Sequence, residues 1–337
     1  MLLIGSQSKR VLIIKEDNCT MADLQKLFKK YNEKITLAKS KCESLKTSRD
    51  ALRSDVKNWF SDKNKKQPKF CWQGSFAMKT VVNPLSGKEY DLDDGVYIQD
   101  CENTEVEEWV STSTVHTWLK AAVCERNQQN VIDKDTCVRV PYAAGYHIDL
   151  PIYIYKDGVA YLAHKNKGWL ESDPKAFKDW FVGKVNSEEY GEQLRSIVKY
   201  LKAWRDYKDV PLKGIEITIL ATNSFDKYDD RDDKSLRNTV INMIEVLEKD
   251  FKCVKPVMPE EDLFDDASET KKNNILAGLK ALKSNLDKAI DEFDEKKASE
   301  YVRKSFGDRF PLGEESLNSQ VAASTRSGVL KHDGRSA

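Results

Sequence analysis

The 337-residue chain is long enough for two or three domains, each with a core of its own. Its 55 Lys and Arg balance its 55 Asp and Glu, so net charge gives no general attraction to nucleic acid or to a membrane, and any basic patch must be local. With 40% hydrophobic and 33% charged residues, and no apolar run approaching about 18 residues, the composition is that of a globular, highly charged protein without a membrane-spanning helix.

The first 17 residues, MLLIGSQSKRVLIIKED, are short apolar pieces around a basic pair and carry no assignable element. They lack a long apolar stretch and a small-residue cleavage site, so no signal peptide is read and a cytoplasmic location is expected. Seven cysteines, at 19, 42, 71, 101, 124, 137 and 253, include no CxxC pair, which points to free thiols in a reducing compartment. Four histidines without HExxH spacing give no zinc hydrolase.

Residues 20–56 repeat apolar side chains at three and four (Met21, Leu24, Leu27, Phe28, Tyr31, Ile35), which predicts an amphipathic helix or helix pair. Residues 58–69 are polar and hold Lys63, Lys65, Lys66 and Lys69, either a solvated loop or a basic lip beside a phosphate site.

Residues 73–93, QGSFAMKTVVNPLSGKEYDLD, carry the first chemistry. Gln73, Gly74 and Ser75 form a turn signal ahead of a short helix, and residues 83–87 (NPLSG) form a turn into a strand. In that strand Asp91 and Asp93 share a face while Leu92 points the other way. Two carboxylates one pleat apart repel by roughly 3 kcal/mol at ~5 Å and an effective dielectric of ~20. A divalent magnesium or manganese ion, which prefers hard oxygen ligands, is the natural neutraliser, and a turn presenting backbone N–H groups would hold the phosphates that accompany it. Asp94 points away from that face and reads as supporting or structural. Gly95 allows a kink.

Residues 111–126 begin with hydroxyls suited to an N-cap and continue as a helix containing His116, read as structural. Residues 139–155, RVPYAAGYHIDLPIYIY, read as strand broken into two pieces by Pro141 and Gly145. His147 and Asp149 share one face there. An Asp inside an apolar strand needs a partner; with Asp91 and Asp93 it makes three carboxylates from two strands, the pattern of a two-metal site. Residues 159–164 are expected to add a strand.

Asp173 before Pro174 signals a helix over 174–185. The clearest helix spans 188–207, with Leu194, Ile197, Val198, Leu201 and Trp204 as its buried stripe and Lys199 and Lys202 on its flank. Residues 214–221 fit a strand or a buried helix, helix being preferred. Residues 224–235 hold five aspartates without EF-hand spacing and read as a solvated loop. Helices are expected over 236–251 and, as one long element, over 271–306, with a loop at 256–266. Residues 313–337 have the composition of a flexible tail.

The words QGSFAMKT, YDLDDGVYI, YHIDLPIYIY and IVKYLKAWRD resemble the bacterial cGAS/DncV-like nucleotidyltransferases (CD-NTases), within the polymerase-β-like nucleotidyltransferases, across roughly residues 20–310. The resemblance implies an α+β fold: a polymerase-β-like core with a mixed sheet over 1–186, a C-terminal helical domain over 187–312, a tail over 313–337, and an active site in the cleft between the lobes. It implies an enzyme that joins nucleoside triphosphates such as ATP and GTP into a cyclic di- or trinucleotide, a 3′3′-cGAMP-like product being favoured, which a separate effector reads in anti-phage defence. By position, Asp91, Asp93 and Asp149 would be catalytic and ligate two Mg²⁺ (or Mn²⁺) ions. Gln73, Gly74 and Ser75 would take up phosphate. Lys199 would grip the triphosphate, with Lys202, one turn on, as the fallback. Relatives carry a Ser shortly after that helix where this chain reads Lys213-Gly214, so that contact is open. The zinc insertion of the animal DNA sensor is absent, so activation by DNA is not expected. In some such systems an E1/E2-like protein links the C-terminus to a target, which would use Ala337. Other readings are a linear oligonucleotide synthase, a tRNA or protein nucleotidyltransferase, with the charge balance arguing against a tRNA substrate, and a non-catalytic scaffold.

Overall fold

The computed structural model describes residues 21–99, 101, 104–124 and 131–314. Residues 1–17, Cys19 and the tail from 315 to Ala337, with the conjugation expected there, lie outside the described residues.

The periodic segment at 20–56 forms two helices, α1 (Gln25–Ile35) and α2 (Lys39–Asp62). Helix α1 buries Leu27, Phe28, Tyr31 and Ile35, the one stripe that three- and four-residue spacing creates. Helix α2 runs further than its charge pattern predicts, because Trp59 and Phe60 within the polar stretch pack onto the sheet core.

A mixed sheet of eight strands among the described residues follows. Its strands are β1 (Lys69–Gln73), β2 (Tyr90–Ile98), β3 (Ile132–Asp133), β4 (Val138–Tyr142), β5 (Tyr146–Leu150), β6 (Ile152–Lys156), β7 (Val159–His164) and β8 (Gly168–Glu171). The single-turn helix α3 (Gly74–Ala77) joins β1 to the loop before β2, and α4 (Thr112–Val123) starts on Ser111, whose hydroxyl accepts from the Thr114 amide. Strand β2 runs antiparallel to β1 and parallel to β5, then continues parallel to β6. The strand expected over 139–155 in two pieces is three. Pro141 is accommodated inside β4, opposite His147, and the second break falls at Pro151, whose carbonyl accepts from the Val96 amide at 2.8 Å. Strands β6, β7 and β8 form an antiparallel meander, of which β8 is too short for alternation to show.

The helices are α5 (Pro174–Val185), α6 (Gly191–Lys208), α7 (Gly214–Asn223), α8 (Asp232–Lys249), α9 (Glu269–Ile290) and α10 (Glu295–Phe306). Asp173 caps α5 through the Ala176 amide at 2.8 Å, with Pro174 in its first turn. The single helix expected over 271–306 is a pair: the chain breaks at 291–294, and Asp294 caps α10 through the Lys297 amide. The aspartate-rich stretch at 224–235 is only partly a solvated loop. Asp232 and Asp233 are buried in the first turn of α8, where the helix dipole favours negative charge. Asp232 accepts from the Tyr200 hydroxyl and Asp233 pairs with Arg231.

Two hydrophobic cores result. One lies between the sheet and α2 and α4; the other joins α1, α5 and all the later helices. Packing therefore does not follow a chain boundary at 186, since α1 and α5 lie before it and pack with the helical half. Among the described residues no helix is long and apolar enough to cross a membrane.

Candidate active site

Four strands set one polar row. Gln73 of β1 opposes Asp93 of β2, Asp93 opposes Asp149 of β5, and Asp149 opposes Arg139 of β4. Register partners stand on the same face, so these four side chains share a side of the sheet. One pleat earlier, Asp91 opposes His147, whose Nδ1 lies 2.8 Å from Glu89 Oε2. The alternate residues of β2 serve the other face: Leu92 is in the sheet core, and Asp94 is fully buried against Arg53, with Arg53 Nε donating to Oδ2 at 2.6 Å.

Gly74 begins α3 directly above Asp93. It adopts φ +64°, and a Cβ placed on it would stand 2.0 Å from Asp93 Oδ2. Only glycine permits the turn and the carboxylate to be this close. Burial, then the neighbouring carboxylates of Asp91 and Asp149, raise the Asp93 carboxyl well above the usual range, while Arg139 and Lys202 pull the other way.

Gln73, Asp91 and Asp93 open on a cleft of about 730 Å³. Gln73, Gly74, Ser75, Asp91 and Asp93 line its sheet side, the loop residues Pro84, Leu85, Lys88 and Glu89 one wall, and the N-terminus of α5 another. The helical half contributes Lys202, Arg205, Asp206, Asp209 and Gly214, with Lys255 and Val257 beyond. Asp149 stands between Asp93 and Arg139 in the row, is 8% exposed and does not line the cleft; its carboxylate is engaged by Arg139.

The two candidate lysines separate. Lys199 does not line the cleft; its ammonium donates to Thr36 Oγ1 at 2.8 Å, between α6 and the end of α1. Lys202 does line it and donates to Thr80 Oγ1 at 3.0 Å. Burial, then Arg205, lowers the Lys202 ammonium to about 8, opposed by Asp91, Asp206 and Asp93. His116, read as structural, is buried between Asp133 and the Ala163 carbonyl.

Sequence reasoning missed Arg139, Glu89 and the cleft cations Lys88, Arg205 and Lys255. At the place where relatives carry a Ser, the Lys213 amide is capped by Glu216 and Gly214 faces the cleft.

The donor set fits a hard divalent cation: Asp91 and Asp93 line the cleft with carboxylate oxygens, and Asp93, raised first by burial and then by Asp91 and Asp149, lies among carboxylates whose charge a divalent cation would offset. With Asp149 turned to Arg139, no three acidic, His or Cys side chains among the described residues already converge on one metal position.

Residues 68–153 match the family model for the nucleotidyltransferase domain of cyclic GMP-AMP synthase DncV-like proteins, and residues 191–319 match that for the cyclic GMP-AMP synthase C-terminal domain. The chain belongs to the bacterial cGAS/DncV-like nucleotidyltransferases. Within this family it is 29% identical over 194 residues to a cyclic GMP-AMP synthase of Escherichia albertii, a match covering 53% of this chain and 42% of that relative's length. It is 25% identical over 289 residues to a c-di-GMP synthase of Roseivirga ehrenbergii, covering 72% of each. The fold is that of Vibrio cholerae DncV: the structure of that cyclic AMP-GMP synthase with the linear intermediate 5′ pppA(3′,5′)pG superposes with a TM-score of 0.74 at 18% identity, covering 88% of this chain and 100% of the other. Its GTP-bound form gives a TM-score of 0.74 at 20% identity, covering 86% and 96%.

Proposed function

We propose that this nucleotidyltransferase condenses two nucleoside triphosphates into a cyclic dinucleotide, with a 3′3′-cGAMP-like product favoured. The supporting observation is that Asp91 and Asp93, with Asp149 beside Asp93 in register, lie on a cleft to which the helical half brings cations. Bound at those carboxylates, two Mg²⁺ or Mn²⁺ ions would supply the Lewis acidity that activates a ribose hydroxyl and neutralises a triphosphate. The chain's own residues do the rest. Gly74 and Ser75 bring backbone N–H groups and a hydroxyl to the donor phosphates beside Asp93. Lys202 approaches them from α6, with Arg205, Lys88 and Lys255 adding positive charge to the walls. Joining the first two nucleotides and closing the ring each release pyrophosphate. The product would be read by a separate effector in anti-phage defence.

A second reading, a product built from two guanylates, is favoured by the breadth of the match to the c-di-GMP synthase. One experiment tests both. The purified protein is incubated with four labelled NTPs and Mg²⁺ or Mn²⁺, treated with phosphatase, and the surviving products are weighed by mass spectrometry. A phosphatase-resistant cyclic dinucleotide supports the proposal, and its mass separates the two readings. Products that lose their terminal phosphates mark a linear synthase, and turnover retained in Asp91→Ala/Asp93→Ala refutes the site.

A further inference from the structure

Asp149 is held by both of its oxygens. Arg139 Nε donates to Oδ1 at 2.7 Å and Nη2 to Oδ2 at 2.6 Å, the parallel fork that makes guanidinium–carboxylate pairs strong. The two residues are register partners across the β4–β5 hairpin, and both side chains are largely shielded from solvent. Asp93 stands on the other side of Asp149 in the same row. A third carboxylate is thus present at the site with both oxygens already hydrogen-bonded to a guanidinium, and no cluster of three ligands stands ready-made among the described residues.

We infer that Arg139 is the resident counter-ion of the catalytic row. It balances the Asp149 charge and competes with a divalent cation for that carboxylate: each oxygen keeps a second lone pair, but its electron density is already drawn to the guanidinium, whose like charge also opposes a cation there. Arg139 is a positioning residue in this role: it sets how tightly the row takes up metal. Lys202, the other cation acting on Asp93, bonds to Thr80 rather than to a carboxylate, so it does not engage a ligand oxygen directly. A clamp that only joined the hairpin would leave metal affinity untouched when removed. The inference rests on the reading of Asp91, Asp93 and Asp149 as metal ligands.

The test is a Mn²⁺ titration of the full chain without nucleotide, read by electron paramagnetic resonance, so that no turnover is needed. Arg139→Met is expected to tighten Mn²⁺ binding by roughly ten- to a hundredfold, because the cation no longer competes with a charge-assisted hydrogen bond or meets a like charge beside Asp149. Arg139→Lys, which keeps the charge but cannot form the fork, is expected to fall between Met and wild type. Circular dichroism verifies the fold of each variant, and the Lys variant decides the case if the Met variant does not fold. Wild-type or weaker affinity in the folded variants overturns the inference while leaving the site reading intact. Mn²⁺ binding that survives in Asp91→Asn/Asp93→Asn overturns both.

Discussion

Gly74 and Asp93 are packed so closely that a single methyl group would not fit between them: a Cβ on Gly74 would lie 2.0 Å from Asp93 Oδ2. The turn at Gly74 and the Asp93 carboxylate, proposed to hold phosphate and metal, are therefore one unit. Gly74→Ala has to leave a left-handed conformation, at about 1–2 kcal/mol, and push the carboxylate aside. A displacement on the order of 1 Å costs about a hundredfold in rate. Turnover with ATP and GTP is expected to fall by about that factor with only a modest loss of melting temperature. Near-wild-type turnover would mean that the contact does not position Asp93.

Lys199 and Lys202 sit three residues apart on α6 but make different contacts. Lys202→Ala is expected to raise the KM for NTP by tenfold or more, on the order of one lost charge-assisted bond. Lys199→Ala removes the tie to Thr36 and is expected to lower stability by about 1 kcal/mol with KM little changed. Steady-state kinetics beside denaturant unfolding separate the two. Equal KM effects would contradict the assignment.

Burial lowers both ammonium groups to about 8 from the ordinary 10.5. In the free enzyme Lys202 therefore loses its charge as pH rises through about 8, and affinity for a non-hydrolysable NTP is expected to decline there. Lys202→Arg, charged throughout, should flatten that decline. Stability moves the other way. Between about pH 8 and 10.5 the unfolded chain holds the protons that the folded one has lost, so these two groups make stability rise with pH across that window.

Asp94 shows what an acidic residue of β2 does on the opposite face. It is fully buried and paired with Arg53. Asp94→Ala leaves that guanidinium without its partner and is expected to cost about 3 kcal/mol of stability, seen as a lower unfolding midpoint. Activity of the folded fraction should persist, in contrast to Asp91→Ala and Asp93→Ala.

Much of this arrangement is legible in the sequence, for physical reasons. Strand alternation alone puts Asp91 and Asp93 on one face and Leu92 and Asp94 on the other, and the helical stripes of α1 and α6 follow their spacing. What a local pattern cannot carry is register and tertiary exposure. The short loop between Tyr142 and Tyr146, with Gly145 at φ +77°, fixes the β4–β5 pairing and so brings Arg139 opposite Asp149; Gly145 reads in the sequence as a strand break, which hides the pair. Lys199 and Lys202 share a helix flank, and only the approach of Thr36 and Thr80 tells them apart. The break between α9 and α10 is missed because apolar spacing continues across it, although Asp294 is a cap signal. Lys255 and Val257 reach the cleft from a loop that carries no periodicity at all.

The most direct measurement is a crystal structure of the full chain with Mn²⁺ and a non-hydrolysable NTP, using anomalous scattering at the manganese edge. The expected result is manganese density against Asp91 and Asp93, with Asp149 beside it and the triphosphate beside Gly74, Ser75 and Lys202. Manganese and nucleotide bound away from that row, with the Asp91 and Asp93 carboxylates empty, would contradict it.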